Sequence, residues 1–280
     1  MKYKIEKNTV QETLIIPLYA RKVCSELYPN LYRDETAVRL IDEIDYDFSE
    51  AEKNSRGLMQ RFGSLEVAMR QNDLAFEVRD YLKSHPNAAV VNLGCGLDST
   101  GRSCDNGSCK IYNLDFPDVI AVRNELLPAG EREENIPCDL NNTEWFRKID
   151  SSSGAVFFAS GVFYYFLTEQ VKTLVQKMAD AFPGDVLVFD AANRAAVKMI
   201  AKTWLKSAKI KDVGAYFAVS DAKSELSLWD SRLQVTSRGY MLGYNDLKDP
   251  SVSGFFRFLA KVGDGMMKMQ IVKIRFGGKQ

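Results

Sequence analysis

Two hydrophobic periods divide this chain. From residue 9 to about residue 83, apolar positions recur at threes and fours, as in Val38, Ile41 and Ile44, or Leu65, Ala68, Met69 and then Phe76. That is the spacing of amphipathic helices. Pro17, Pro29, Gly57 and Gly63 are expected to break the stretch into several short helices. From residue 88 onward, short apolar runs alternate with helical patterns. Predicted strands cover 88–94, 110–115, 134–138, 154–160, 185–191 and 267–276, and predicted helices 117–127, 168–182 and 195–208. Thr168 followed by Gln170 marks a capped start for the second of these helices. Alternation of this kind implies βαβ units and a mostly parallel sheet. Residues 209–266 mix Gly, Asp and Ser with aromatics and fit a hairpin plus a lid over a substrate.

One junction in the alternating half carries chemistry. AAVVNLGCGLDS, residues 88–99, is an apolar β-rich run that breaks into Gly94-Cys95-Gly96 and then Asp98. Asp115 closes the next apolar run 19 residues after Gly96, with Phe116 beside it. Glycines after a strand let backbone approach a nucleotide-like ligand, and a carboxylate about 20 residues on accepts hydrogen bonds from ribose hydroxyls. Asp98 helps to choose the ligand. Near a helix amino end it would repel a pyrophosphate, which such ends normally attract. S-adenosylmethionine has no phosphate and is cationic overall, so an acidic mouth suits it better than NAD. The plainer reading of Asp98 is a helix cap, and both readings are compatible. Asp115 has the same alternative, as a cap for the helix after Pro117.

Composition narrows the classes. The 280 residues hold 37 basic and 37 acidic side chains, so there is no basic footprint for nucleic acid. No run of about 18 apolar residues predicts a membrane span, and MKYKIEKNTV lacks a signal-peptide core. A cytoplasmic protein is expected. Five cysteines without a secretion signal argue against a disulfide framework, and no cysteine–histidine cluster predicts a metal site. The single histidine, His85, falls in a turn before the first core strand. The acidic stretch Asp42–Glu52 reads as a solvated helix face.

The strings VVNLGCGLDST, YNLDFPDVI, CDL and SGVFYYFLTEQ together resemble the successive cofactor motifs of the leucine carboxyl methyltransferase family. The likeness is nearest to its bacterial branch, the O-methyltransferases associated with polyketide biosynthesis. ETLIIPLYARK, YRDETAVRLIDEIDYDF and the carboxy-terminal MQIVKIRF extend it over nearly the whole chain. The resemblance implies a class I methyltransferase, a Rossmann-like doubly wound seven-stranded sheet whose last strand is antiparallel. It implies a helical cap over 1–85 and an S-adenosylmethionine-binding α/β domain over 86–280, with the lid-like insertion at 209–266, as one integrated unit. S-adenosylhomocysteine would be the product.

The resemblance also assigns residues. Arg70 corresponds to the family arginine that grips the methionine carboxylate, a task suited to a planar guanidinium. Arg21, in IPLYARK, matches a basic position near the family's amino terminus. Asp139 and Leu140 match the pair that contacts adenine. Ser160 stands where many relatives carry glutamate for the cofactor's ammonium, a departure that leaves this contact without a charge. Tyr19, Phe163, Tyr164 and Tyr165 are placed in the acceptor pocket. Each position has a plainer reading beside it. Arg70 could pair with Asp73 or Glu66 on a helix surface, Asp139 could be a turn acid, and the aromatics could be packing.

Displacement at a sulfonium methyl chiefly needs alignment. A carboxylate acceptor is already ionised at neutral pH, whereas a hydroxyl needs a base that this histidine-poor sequence does not plainly offer. A small-molecule or carrier-bound acid is therefore the favoured acceptor. Two other functions remain open at this stage: a non-catalytic cofactor-binding or partner-binding module, and an NAD(P)-dependent oxidoreductase using the same glycine turn.

Overall fold

A computed structural model describes residues 2–5, 10–55, 57–200, 216–245 and 247–278. The front of the chain forms α1 (Val10–Leu27), α2 (Glu35–Glu43), α3 (Ser49–Ser55) and α4 (Leu58–Ser84). Two residues, β1 (Tyr3–Lys4), pair in parallel with β2 (Ile44–Asp45). Gly57 caps α4, and Pro29 lies beyond the end of α1, as expected of breakers. Pro17 and Gly63 break nothing: α1 runs through Pro17, and Gly63 is buried inside α4. Tertiary packing overrides local propensity at both places. Leu18 of α1 and Phe62, Leu65 and Met69 of α4 are all buried around them.

The rest of the chain builds the sheet. Its strands are β3 (Ala89–Leu93), β4 (Lys110–Asp115), β5 (Glu133–Pro137), β6 (Ala155–Ala159), β7 (Val186–Ala191), β8 (Leu233–Gly239) and β9 (Gln270–Phe276). The helices among them are α5 (Thr100–Ser103), α6 (Pro117–Leu126), α7 (Thr168–Ala181), α8 (Arg194–Ile200), α9 (Ala222–Leu226) and α10 (Gly254–Gly265). The seven strands stand in the order β5-β4-β3-β6-β7-β9-β8. β5 through β7 are parallel, and β9 enters antiparallel between β7 and β8. The doubly wound seven-stranded architecture and the inserted antiparallel strand match the expectation.

Strand alternation splits the core between the two faces. Val90, Ile111, Val156, Phe158, Val186 and Val188 face α4, while Ala89, Val91, Tyr112, Leu114, Phe157 and Leu187 lie on the α7 side. α4 thus shares its core with the sheet. A third apolar group joins Ile15 and Leu18 of α1, Ala37 and Leu40 of α2, Leu97 of the glycine turn and Val122 of α6. The frontal helices are fastened to the sheet at its most chemically interesting corner.

Two expectations need adjustment. β8 was not predicted; only Leu233 and Val235 of it are buried, too few for a legible alternation. The third predicted helix is seen as α8, and residues 201–208 of it lie outside the described residues, as do 209–215 of the expected lid. Thr168 opens α7 as expected, with Leu167 at the cap position donating its N–H to Gln170 Oε1 at 2.8 Å. In the remainder of the lid segment, Tyr240, Met241, Val252 and Phe256 pack into the core on the α4 side.

Candidate cofactor and active site

The chain winds from β3 to β4 in one direction and from β6 to β7 in the other, so a crevice opens at the carboxyl ends of β3 and β6. Such a switch point is where open α/β sheets bind ligands. Gly94 and Gly96 adopt φ of 67° and 45°, a left-handed backbone that favours glycine. A Cβ on Gly94 would lie 2.6 Å from Val162 Cγ2, so the turn after β3 sits directly against the turn after β6. Cys95 is buried between them, and its N–H donates to Leu114 O at 2.9 Å.

Asp115 stitches the first two strand ends together. Its Oδ2 accepts from Gly96 N at 2.8 Å and its Oδ1 from Phe116 N at 2.8 Å. Burial pushes its carboxyl above the ordinary range, and the two N–H donors oppose that shift. Asp115 does not cap the following helix, whose cap position is held by Phe116 without a side-chain cap bond, and each of its carboxylate oxygens keeps a second lone pair. Phe116 is 44% exposed beside it.

The glycine turn is held from three sides. Arg21 of α1, only 4% exposed, donates to Leu97 O at 2.9 Å and pairs with Asp34 at 3.2 Å and Asp98 at 3.4 Å. Gln71 of α4 donates to Asp98 and, at 2.7 Å, to Thr100 Oγ1, while accepting from the Tyr32 hydroxyl. Arg123 of α6 donates to Gly96 O at 2.9 Å and Asp98 O at 2.8 Å. Asp98 itself accepts from Thr100 N and Oγ1 at 2.9 and 2.7 Å. It leads into α5, which has only four residues. Arg21 and Asp98 thus both help to hold the turn. Gln71 and Arg123 escaped the sequence reading, since a buried arginine on an otherwise ordinary helix carries no local signature.

A second group gathers at the ends of β6 and β7. Ser160 follows β6 and is half-buried. The next residue, Gly161 (φ 71°), donates its N–H to Asp190 Oδ1 at 2.6 Å. Asp190, 2% exposed at the end of β7, also meets Arg70 Nη1 at 3.2 Å. Arg70 reaches this point from α4, and its guanidinium lies against Gly161, 3.2 Å from where a Cβ would stand. It pairs with neither Asp73 nor Glu66 in a surface bridge. Glu66 does lie within electrostatic range, buried enough that its pKa is raised, and it accepts from the Tyr240 hydroxyl at 3.3 Å. The buried Tyr164 hydroxyl lies beside Asp190 in the same niche, yet among the described residues makes no hydrogen bond of standard geometry. Asp190 and Tyr240 also escaped the sequence reading. One ends a strand that is apolar on every other position, and the other belongs to the unreadable segment.

The other expected residues divide. Tyr165 is 45% exposed next to this group, and the Tyr164 carbonyl accepts from Tyr216 N at 2.7 Å, bringing Tyr216 alongside. Phe163 turns away into the core, 1% exposed and edge-on to Phe189 at 5.1 Å. Asp139 is exposed and accepts from Asn141 N at 2.9 Å, an Asx turn, while Leu140 is buried in the core beneath it. Tyr19 is not brought to the crevice. It lies two residues from Arg21, about 200° around the helix. There it stacks on Phe48 at 5.4 Å, in a separate cleft of about 630 Å³ between α1, β2 and α3. His85 caps the carboxyl end of α4, just before β3, and stacks on Tyr81 at 4.2 Å. It is therefore at the amino edge of the sheet, the full strand length from the crevice.

The leucine carboxyl methyltransferase family signature matches residues 16–179. The tetracenomycin polyketide synthesis O-methyltransferase TcmP of Streptomyces glaucescens is 27% identical over 183 residues, 65% of this chain and 66% of that protein. The S-adenosyl-L-methionine-dependent methyltransferase dpfgK of Gibberella zeae is 26% identical over 193 residues, 65% of this chain and 64% of its own length. The match thus spans just under two thirds of these curated relatives. Among solved structures, a DUF574 family protein from Streptomyces avermitilis superposes with a TM-score of 0.58 at 11% identity, over 92% of this chain and 97% of its own. A provisionally assigned methyltransferase from Thermobifida fusca gives 0.57 at 17% identity, over 92% and 94%. The family signature covers more than half of the chain and places this protein in the leucine carboxyl methyltransferase family.

Proposed function

We propose that this chain is an O-methyltransferase that binds S-adenosylmethionine across the carboxyl ends of β3, β4 and β6 and methylates a small-molecule or carrier-bound acceptor. The single observation carrying the reading is the convergence of Asp115, the Gly94–Gly96 turn and Arg70 on one crevice, although they come from three different elements. The residues present fit the cofactor. Arg70 Nε is buried with no hydrogen-bond partner among the described residues, a spare donor suited to a carboxylate. Asp115 retains lone pairs for the ribose hydroxyls, and Phe116 offers an exposed ring beside it. Asp139 stands just beyond the end of β5, where adenine would meet it, with Leu140 buried beneath.

When bound, S-adenosylmethionine supplies an electrophilic methyl group. The chain's own residues then have to orient the acceptor and exclude water. Tyr165 and Tyr216, the exposed aromatics next to the Arg70 group, are the residues assigned to that task. No histidine lies near them, which favours an acceptor oxygen that is already ionised, a carboxylate. The acidic lead into a four-residue helix disfavours a pyrophosphate, so the nicotinamide alternative has no structural support here.

The test is methyl transfer from methyl-labelled S-adenosylmethionine to panels of small carboxylic acids and phenols. Label transferred to an acid in preference to its phenolic counterpart is the expected result. Binding of the cofactor with transfer to neither class would favour the non-catalytic module instead.

A further inference from the structure

The resemblance to the leucine carboxyl methyltransferase family implies a glutamate just after the fourth parallel strand, and Ser160 occupies that place here. The niche around it is nonetheless anionic. Its charged members among the described residues are Arg70, Asp190 and Glu66, one cation against two carboxylates. Asp190 is only 2% exposed, with one oxygen on Gly161 N and the other on Arg70, and so is shielded within the protein. Glu66 lies one turn before Arg70 on the same helix and faces the same side. It is half-buried and, among the described residues, accepts a single hydrogen bond, from Tyr240. A carboxylate can accept several more. Both its neighbourhood and its spare capacity therefore suit a cationic ligand group.

We infer that Glu66 supplies the anionic contact for the ammonium of the cofactor's methionine moiety, in place of an acid at position 160, while Asp190 positions Arg70 for the carboxylate. The inference rests on the cofactor reading above. A carboxylate moved from a strand end to a neighbouring helix would keep the charge balance of the site. Arg70 meets the ligand's carboxylate, and the excess negative charge meets its ammonium.

Three ligands separate the contributions, titrated calorimetrically into the full chain at neutral pH. S-adenosylhomocysteine carries both ammonium and carboxylate, S-adenosyl-3-thiopropylamine carries the ammonium alone, and 5′-methylthioadenosine carries neither. Glu66→Gln is expected to weaken the first two by about ten- to a hundredfold, the loss of one charge-assisted hydrogen bond. Affinity for 5′-methylthioadenosine should be unchanged, which also reports an intact fold. Glu66→Asp, keeping the charge but withdrawing it by one methylene, should weaken the same two ligands by a smaller factor. An equal loss for all three ligands, or no loss for the two amines, overturns the assignment while leaving the cofactor site standing. A wild-type chain that binds none of the three overturns the cofactor reading and this inference together.

Discussion

Replacing Gly94 by alanine probes the tightest point of the proposed site. The residue has φ 67°, and a Cβ would lie 2.6 and 2.9 Å from the two Val162 methyl carbons. A left-handed backbone costs an L-residue about 1–2 kcal/mol. Forcing a methyl group into a filled site adds roughly 1–3 kcal/mol, because Val162 and the turn behind it must move. The expected loss of stability is then about 2–5 kcal/mol. Gly107 provides the control: its φ is 84°, yet nothing lies within 4 Å of where its Cβ would stand. Gly107→Ala should lose only the backbone part, about 1–2 kcal/mol. Denaturant unfolding of the two variants isolates the steric difference, and S-adenosylhomocysteine titration should show weakened binding for Gly94→Ala alone. Equal stability of the two variants would refute the close packing of the β3 and β6 turns.

Other perturbations follow from the same geometry. Asp115→Ala should lower S-adenosylhomocysteine affinity by roughly 10²–10⁴, two hydrogen bonds to a charged group, with the circular dichroism spectrum retained. Arg21→Ala leaves Asp34 and Asp98 buried without their cation and should cost about 3–5 kcal/mol in urea unfolding. Asp73 is buried on α4 beside Asp264 and Glu77, and burial pushes its carboxyl up to about 9. The folded state then holds this proton more tightly than the unfolded chain does. Its contribution to stability is greatest below about pH 4 and falls as the pH climbs towards 9. Asp73→Asn, which keeps an acceptor for Asn245, should remove up to about 1.4 kcal/mol of decline per pH unit. Unfolding midpoints measured between about pH 5 and pH 8.5 would show the variant's flatter profile.

Much of the framework was legible because its signals are local. Strands buried on both faces, such as Val90–Val91 and Phe157–Phe158, give continuous apolar runs that stand out in the sequence. The turn at Gly94 and Gly96 and the acid at Asp115 are likewise set by short motifs. What escaped depends on distance along the chain. Asp190 and Arg70 are 120 positions apart, and Glu66 and Tyr240 are 174 apart. No period or spacing announces such pairs; only the winding of the sheet brings them together. Pro17 and Gly63 misled for the opposite reason, since a propensity cost of a few kcal/mol at most yields to the burial of large side chains around it. Tyr19 shows the limit of motif reasoning. It lies two residues from Arg21 in one recognisable string, yet the helical rotation sends the two side chains to different faces of α1.

The central claim is the identity of the cofactor, and the most direct measurement is calorimetric titration of the intact protein with S-adenosylmethionine, S-adenosylhomocysteine and NADH. Micromolar binding of both adenosyl ligands, with none of NADH, is the predicted result. Binding of NADH alone, or of none of the three, would contradict it.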